Sequence, residues 1–308
     1  METKQYDVII LGGGPAGLTA GIYLARAKAN ALVVDTSTIG GQTVLTYEVA
    51  NYPGVEKTSG YQLSSTMRKQ AESFGCDIVS NVSVSNLEVD GKLKSLTVNG
   101  KIKYESKAII LATGGRSRTL NVPGEIEFKG KGISYCATCD GDFFQDKEIV
   151  VVGGGNSALE EADSLTKYAS KVTILHEFDY FQALGHAVEK AKSNPKIEFI
   201  MKSHITEFHG DSKLTGISYE SLDLGKKSVM KVDGVFIFIG YVANTEKLTD
   251  SGVGLNERGE VITDENLQTN IEGVFAAGDN RAVRYRQITT AVADGTIAAL
   301  NTLEYINQ

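Results

Sequence analysis

The sequence predicts an α/β fold of two Rossmann-like, three-layer ββα nucleotide-binding units, the second inserted in the first. Three observations predict it. Asp7–Asp35 and Glu148–His176 fit one 29-residue frame. Each runs from a β-rich apolar segment (DVIIL, EIVVV) through a glycine-rich turn (GGGPAG, GGGNSA) into an Ala/Leu-rich helix and a second strand (ALVVD, KVTILH). A third strand–turn signal, GVFAAGD at 273–279, completes near the C-terminus a nucleotide fold that began at the N-terminus. The expected units are 1–115 with 247–308, and 116–246, with two chain crossings between them.

The first unit opens on the apolar run Tyr6–Leu11, which has the character of a buried strand. Gly12, Gly14 and Gly17 then occupy the three positions of G-x-G-x-x-G. The first permits a tight turn, the second lets backbone approach a pyrophosphate, and the third lets helix and strand pack closely. The helix N-terminus behind them would offer free N–H groups to phosphate charge. Asp35 ends the next strand 23 residues after Gly12, where a carboxylate can hydrogen-bond ribose hydroxyls. From about 82 to 111, short β-type segments alternate with Asp90-Gly91 and Asn99-Gly100, both hairpin signals. The buried run AIILA follows and ends in Thr113-Gly114-Gly115. Next come Cys136-Ala-Thr-Cys139-Asp140, the second βαβ frame and the apolar strand Gly234–Gly240. After GVFAAGD, the segment TTAVADGTIAALNTLEY reads as a closing helix.

Charge and composition narrow the function. With 38 acidic and 31 basic residues the net charge is −7, and without a basic run nothing favours nucleic acid as a partner. No apolar stretch approaches the ~20 residues that a membrane span needs. The N-terminal residues enter the first strand with neither a basic n-region nor a small-residue cleavage site, so the cytoplasm is the expected location. Three cysteines do not make a secreted disulfide scaffold.

Cys136 and Cys139 are spaced so that their sulfurs can close a small ring and exchange with an outside disulfide. One thiol must be kept as thiolate, and an acid-base partner assists; Asp140 is the adjacent candidate. The competing reading is half of a zinc site, but the chain has neither a second Cys pair nor a suitably spaced His pair to complete it. No metal is expected. Cys76 has no partner at motif spacing and reads as a small buried hydrophobe. His186, His204 and His209 sit in polar contexts with no motif.

Taken together, GGGPAGLTA (12–20), GGQ (40–42), EVANYPG (48–54), ATGG (112–115), CATCDG (136–141), GGGNSALEEA (153–162), Gly278-Asp279 and RQITTAVADG (286–295) resemble the low-molecular-weight thioredoxin reductases. The likeness covers essentially the whole chain. It implies FAD as cofactor, held by Gly12, Gly14, Pro15, Ala16 and Gly17 of the first turn, then Asp35, Gly41, Gln42 and Asn51. Val84, Ala112, Thr113 and Gly114 would add contacts from the middle of that unit, and Gly278, Asp279, Arg286, Gln287 and Ile288 from its end. It also implies a homodimer and thioredoxin as substrate, with Cys139 facing the flavin ring, Cys136 exchanging with the protein substrate and Asp140 relaying a proton.

One departure bears on the electron donor. Members that use NADPH carry His-Arg-Arg-x-x-x-Arg after the second strand of the second frame, and its guanidinium groups grip the 2′-phosphate. Here the matching residues are His176, Glu177, Phe178 and Gln182, so every expected arginine is missing and one position has become an acid. Arg suits phosphate because its planar fork donates in pairs, and a carboxylate repels a dianion. The chain therefore resembles the pyridine-nucleotide-independent branch, in which reduced ferredoxin is the donor. NADH, NADPH and a deazaflavin carrier are the alternative donors, and Phe178, Tyr180 and Phe181 are expected to fill a vestigial pocket. Arg116, Arg118, Lys129, Lys131, Arg281, Arg284 and Arg286 are the cations considered for docking an acidic carrier. A reading from another class is a flavin-bearing redox sensor without turnover.

Overall fold

The computed structural model describes residues 2–46 and 48–308. They form two compact units, Met1–Arg116 with Val242–Gln308, and Ser117–Tyr241. The second crossing therefore falls between 241 and 242, not at 247 as expected from sequence. The reason is local bonding: Asn244 N–H donates to Gly114 O at 2.9 Å, its side-chain amide donates to Thr113 O at 2.9 Å, and Glu246 pairs with Arg116 at 2.8 Å. These bonds hold 242–246 to the first unit.

The first unit is built on a seven-stranded sheet. Strand Glu2–Leu11 lies at its centre, parallel to Ala31–Val34 on one side and to Ile102–Leu111 on the other. Parallel sheets bury both faces, which is why these strands read as unbroken apolar runs. Val8 and Ile10 point to a layer containing the helices Pro15–Arg26 and Ile288–Ile306, while Ile9 and Leu11 point to the opposite layer with Leu96, Val98 and Val274. An antiparallel meander, Val84–Glu88, Lys94–Val98 and Ile102–Leu111, extends the same sheet. Its second turn is the expected Asn99-Gly100, where both residues have positive φ, 51° and 64°, as a two-residue hairpin turn demands. Strand Val274–Ala276 pairs with the end of Ile102–Leu111 and so delivers Gly278-Asp279 to the same sheet end as the first glycine turn.

The second unit repeats the plan in smaller form. A five-stranded parallel sheet has Glu148–Val152 at its centre, flanked by Lys171–Leu175 and Gly234–Ile237. Ile149, Val151, Val172 and Ile174 face a layer with the helix Asn156–Leu165, and Val150, Val152, Val235 and Ile237 face a three-stranded antiparallel sheet. Each such fully buried aliphatic side chain contributes about 1.5–3 kcal/mol relative to exposure. Strand Ile133–Ser134 adds the edge that carries the cysteine segment. Among the described residues no helix is long and apolar enough to cross a membrane.

Candidate active site

In the first unit the protein's own backbone excludes a side chain at the first and third glycines of the motif, and Gly14 between them leaves room for one. Gly12 has φ +114°, and a Cβ there would strike the Ala112 carbonyl; a Cβ on Gly17 would strike the Gly12 carbonyl. Pro15 starts the helix, where its missing N–H costs nothing, and Ala16 and Gly17 are buried in its first turn. Asp35 is buried, with Oδ2 accepting the Gly13 N–H at 2.6 Å and Oδ1 accepting from Ser37 N at 2.8 Å and Ser37 Oγ at 3.0 Å. A carboxylate offers about four acceptor positions, so one is left for a ribose hydroxyl. Gly40 N–H donates to Gly13 O at 2.7 Å, which lays Gly41 against Gly14; Gln42 and Asn51 stand exposed beyond it.

The other expected contacts come from three further segments. Val84 points into the core and its carbonyl accepts from Lys247 Nζ at 2.8 Å, so any contact it makes uses backbone. Ala112 abuts Gly12, Gly114 has φ +62°, and Thr113 Oγ1 is buried with no hydrogen-bond partner among the described residues. Such an orphaned hydroxyl is costly unless something polar meets it. Gly278 N–H is held by Asp294 Oδ2 at 2.9 Å, and the same oxygen receives Arg281 Nε at 3.0 Å and Nη2 at 2.9 Å. Gln287 caps the helix Ile288–Ile306 in a reciprocal capping box with Thr290, which sets Ile288 as its first residue. Gly278, Asp279, Val283, Arg284, Tyr285, Thr290 and Asp294 line a cleft of about 240 Å³. Asp294, absent from the expected contacts, lies in the RQITTAVADG segment four residues after Thr290 on the closing helix, a spacing that puts both on one helix face.

The redox segment belongs to the second unit. Cys136, in extended backbone, precedes the short helical turn Ala137–Asp140, and Ala137 anchors that turn in the core. Cys136 and Cys139 form a disulfide, with Cα atoms 5.3 Å apart, and the Cys139 N–H points at Cys136 Sγ at 3.2 Å. Both cysteines are half-buried, whereas Thr138 between them is exposed. Burial pushes the Asp140 carboxyl above the usual carboxylate range; a hydrogen bond from Ser134 Oγ at 2.5 Å opposes this and Asp142 adds to it. Just before the segment, Tyr135 OH donates at 2.7 Å to Glu125, a buried carboxylate that also receives the N–H groups of Leu120 and Asn121. Cys76 lies apart, buried in the first unit, and burial pushes its thiol up to about 12, which leaves it unreactive.

The second glycine turn keeps its shape. Gly153 has φ +135° with its Cβ direction against the Phe238 carbonyl, and Ala158 is fully buried beneath it. His176 is buried beside Gly154, with Nε2 3.0 Å from Tyr180 O and burial holding its imidazole below the ordinary value. The expected filled pocket is only partly present. Phe181 stacks on His176 and meets Phe199, and Phe178 meets His176 edge-on, but Phe178 and Tyr180 stack on each other and remain 41% and 59% exposed. Their positions follow a buried strand end, where the chain turns outward and no facing element covers them. Glu177 and Gln182 are exposed, and nearby Lys202 is already paired with Asp179 and Asp223. Arg118 is the only arginine between residues 117 and 241. Of the cations considered for docking, Arg281 and Arg286 do not qualify, because they are held in largely buried pairs with Asp294 and Glu260.

Comparison with known proteins agrees with this two-unit plan. The family model described as pyridine nucleotide-disulphide oxidoreductase matches residues 6–295. A 34.2 kDa protein in the rubredoxin operon of Clostridium pasteurianum is 45% identical over 305 residues, covering 99% of this chain and 98% of that protein. The thioredoxin reductase of Peptoclostridium acidaminophilum is 44% identical over 308 residues, covering 98% and 97%. The crystal structure of thioredoxin reductase from Streptococcus pyogenes is similar with a TM-score of 0.94 at 38% identity, covering 98% of each chain.

Proposed function

Because the chain belongs to the pyridine nucleotide-disulphide oxidoreductase family, with FAD as its cofactor, we propose that it reduces the disulfide of thioredoxin through Cys136 and Cys139 with electrons from reduced ferredoxin. The residues present fit FAD. The turn at Gly12–Gly17 leaves room for a pyrophosphate, Asp35 keeps an acceptor position for ribose, and the Thr113 hydroxyl lacks a partner that a bound cofactor would supply. In this reading Gly14, Pro15, Ala16, Gly41, Gln42, Asn51, Ala112 and Gly114 join them, with Gly278, Asp279, Arg286, Gln287 and Ile288 at the closing end and Val84 through its backbone. When bound, FAD accepts electrons singly or in pairs and passes a pair to sulfur.

The chain's own residues perform the exchange. Once the pair is reduced, the Cys136 thiolate attacks one sulfur of the substrate disulfide, forming a mixed disulfide and releasing the other substrate sulfur as thiolate. Cys139 then attacks Cys136 Sγ, which re-forms the internal disulfide and frees the second substrate thiolate. Two protons complete the dithiol, one lost by the Cys139 thiol as it attacks and one supplied by Asp140. Support for that role is a half-buried carboxyl, one residue from Cys139, that burial keeps protonated to higher pH than an ordinary aspartate. A homodimer in the cytoplasm completes the proposal.

The observation that carries the choice of donor is the missing phosphate grip. Positions 177, 178 and 182 hold Glu, Phe and Gln. Loss of two charge-assisted bonds at about 1.5–3 kcal/mol each weakens NADPH by roughly two to four powers of ten. An NADH donor is the second reading, favoured by exposed Glu177, which could accept ribose hydroxyls beside the retained Gly153–Gly155 turn. The test is anaerobic: oxidised protein is mixed separately with reduced ferredoxin, NADH and NADPH, and flavin absorbance is followed. Ferredoxin should bleach it rapidly and the nicotinamides should not; rapid bleaching by NADPH refutes the donor assignment. Cys136→Ser should keep the flavin and lose thioredoxin reduction, and unchanged turnover would remove the cysteine pair from the mechanism.

A further inference from the structure

We propose that Ser134 is a positioning residue for the redox segment, whose single hydroxyl aims the Asp140 carboxyl and ties its protonation to the Cys136 backbone. The proposal deepens the disulfide-exchange reading and rests on it. Ser134 ends the edge strand Ile133–Ser134 and is 4% exposed, so its hydroxyl has no access to bulk water to satisfy it. It must bond within the segment.

A serine hydroxyl carries one proton and two lone pairs. The Cys136 N–H donates to Ser134 Oγ at 3.1 Å. The hydroxyl proton has two acceptors in reach, Asp140 Oδ2 at 2.5 Å and the Cys136 carbonyl at 3.3 Å. The short contact to the carboxylate wins while Asp140 is ionised, because a charged acceptor roughly doubles the strength of such a bond. Oδ2 is thereby engaged, and Oδ1, which has no partner among the described residues, is the oxygen free to take up and release a proton. When Oδ1 is protonated the charge assistance is lost, and the Cys136 carbonyl competes for the same hydroxyl proton. Ser134 thus has two hydrogen-bonding states, one for each charge of Asp140, and both act on the peptide units around Cys136.

The charges around Asp140 leave this control to Ser134. Asp142, on the next turn, disfavours ionisation of Asp140. On the helix Asn156–Leu165, which packs against the Ala137–Asp140 turn, Glu161 responds to burial and to Glu160, and neither is a source of the Asp140 shift. Burial and Asp142 favour the neutral acid, and the Ser134 hydrogen bond is the one interaction that opposes them.

The test uses the FAD-loaded protein and needs neither electron donor nor thioredoxin, so its failure and that of the donor assignment are distinguishable. The infrared C=O band of protonated Asp140, identified by its loss in Asp140→Asn, is followed against pH. In Ser134→Ala its midpoint should rise by about half a unit or more, and Ser134→Thr, which keeps the hydroxyl, should restore it. Equal midpoints in wild type and Ser134→Ala, with unchanged flavin content and circular dichroism, overturn the proposal. Where Ser134→Ala does not fold, the wild-type protein decides. The Cys136 amide should be protected from hydrogen exchange and its NMR shift should follow the Asp140 midpoint; an amide that exchanges freely or ignores that titration overturns the proposal equally.

Discussion

Reinstalling the phosphate grip tests the donor argument directly. In Glu177→Arg/Phe178→Arg/Gln182→Arg, three exposed positions receive guanidinium groups, and none of them contributes a side chain to the core of the second unit. The fold should therefore tolerate the change within about 0.5 kcal/mol per site. Lys202 does not substitute for the missing charge, because its ammonium lies 3.4 Å from Asp179 and 3.2 Å from Asp223. At exposed sites the low end of the charge-assisted range applies, about 1.5 kcal/mol per bond, and two bonds give about 3 kcal/mol, or roughly a hundredfold in affinity. Calorimetric titration with NADPH and with NADH measures it. NADPH affinity should rise by about that factor while NADH affinity changes little, since only NADPH carries the 2′-phosphate. If the triple variant binds NADPH no better than wild type, the missing arginines are not what excludes it, and the donor argument fails.

Three further outcomes follow from the geometry. Asp294→Asn leaves Arg281 buried without its anion and weakens the bond that holds Gly278; it should cost about 3 kcal/mol and release FAD at least about tenfold more readily on dilution, measured by flavin fluorescence. Asp140 has a raised native pKa, so its contribution to stability is present in full below the unfolded pKa and is lost as pH rises through the native one. Asp140→Asn should therefore melt higher than wild type at neutral pH, with the gain vanishing in acid, while thioredoxin reduction falls; a lower melting temperature at neutral pH would contradict the sign. Gly153→Ala places a Cβ against the Phe238 carbonyl at φ +135° and should destabilise the protein by about 2 kcal/mol or more, equally with and without nicotinamide nucleotide in a denaturant titration.

The layered fold was legible because its signals are local. Val8–Leu11 and Ile149–Val152 are continuous apolar runs, as strands buried on both faces must be, and Asn99-Gly100 specifies its hairpin through two positive φ angles. The cysteine spacing likewise announced a pair that could close, and the pair is closed. Less legible were interactions made by residues distant in sequence. Asn244 and Glu246 join the first unit through Gly114, Thr113 and Arg116, which no periodicity near 244 reveals. Arg281 and Arg286 read as candidate docking cations, Arg286 also as a flavin contact, until Asp294 and Glu260 came beside them. Aromatic residues after the Lys171–Leu175 strand suggested a filled pocket, yet only Phe181 turns inward, since direction at a strand end depends on the loop that follows.

The two glycine turns, compared within one molecule, separate what a dinucleotide motif signals from what it merely builds. In both, the loop after the second strand returns an N–H to the middle glycine carbonyl, Gly40 to Gly13 at 2.7 Å and Gln182 to Gly154 at 2.9 Å. In both, the first glycine faces a backbone carbonyl, Ala112 or Phe238, that no side chain could clear. Glycine is thus required by strand-to-strand packing whether or not a nucleotide binds. The difference lies at the strand ends. Asp35 accepts the Gly13 N–H and retains an acceptor position, whereas His176 turns to the Tyr180 carbonyl and is followed by Glu177 and Phe178. Discrimination among dinucleotides resides in those side chains, because they alone meet ribose and its phosphate. A retained glycine turn is therefore no evidence for a nicotinamide donor in the second unit, while the residues beyond its second strand, Glu177, Phe178 and Gln182, offer no cation to the extra phosphate of NADPH.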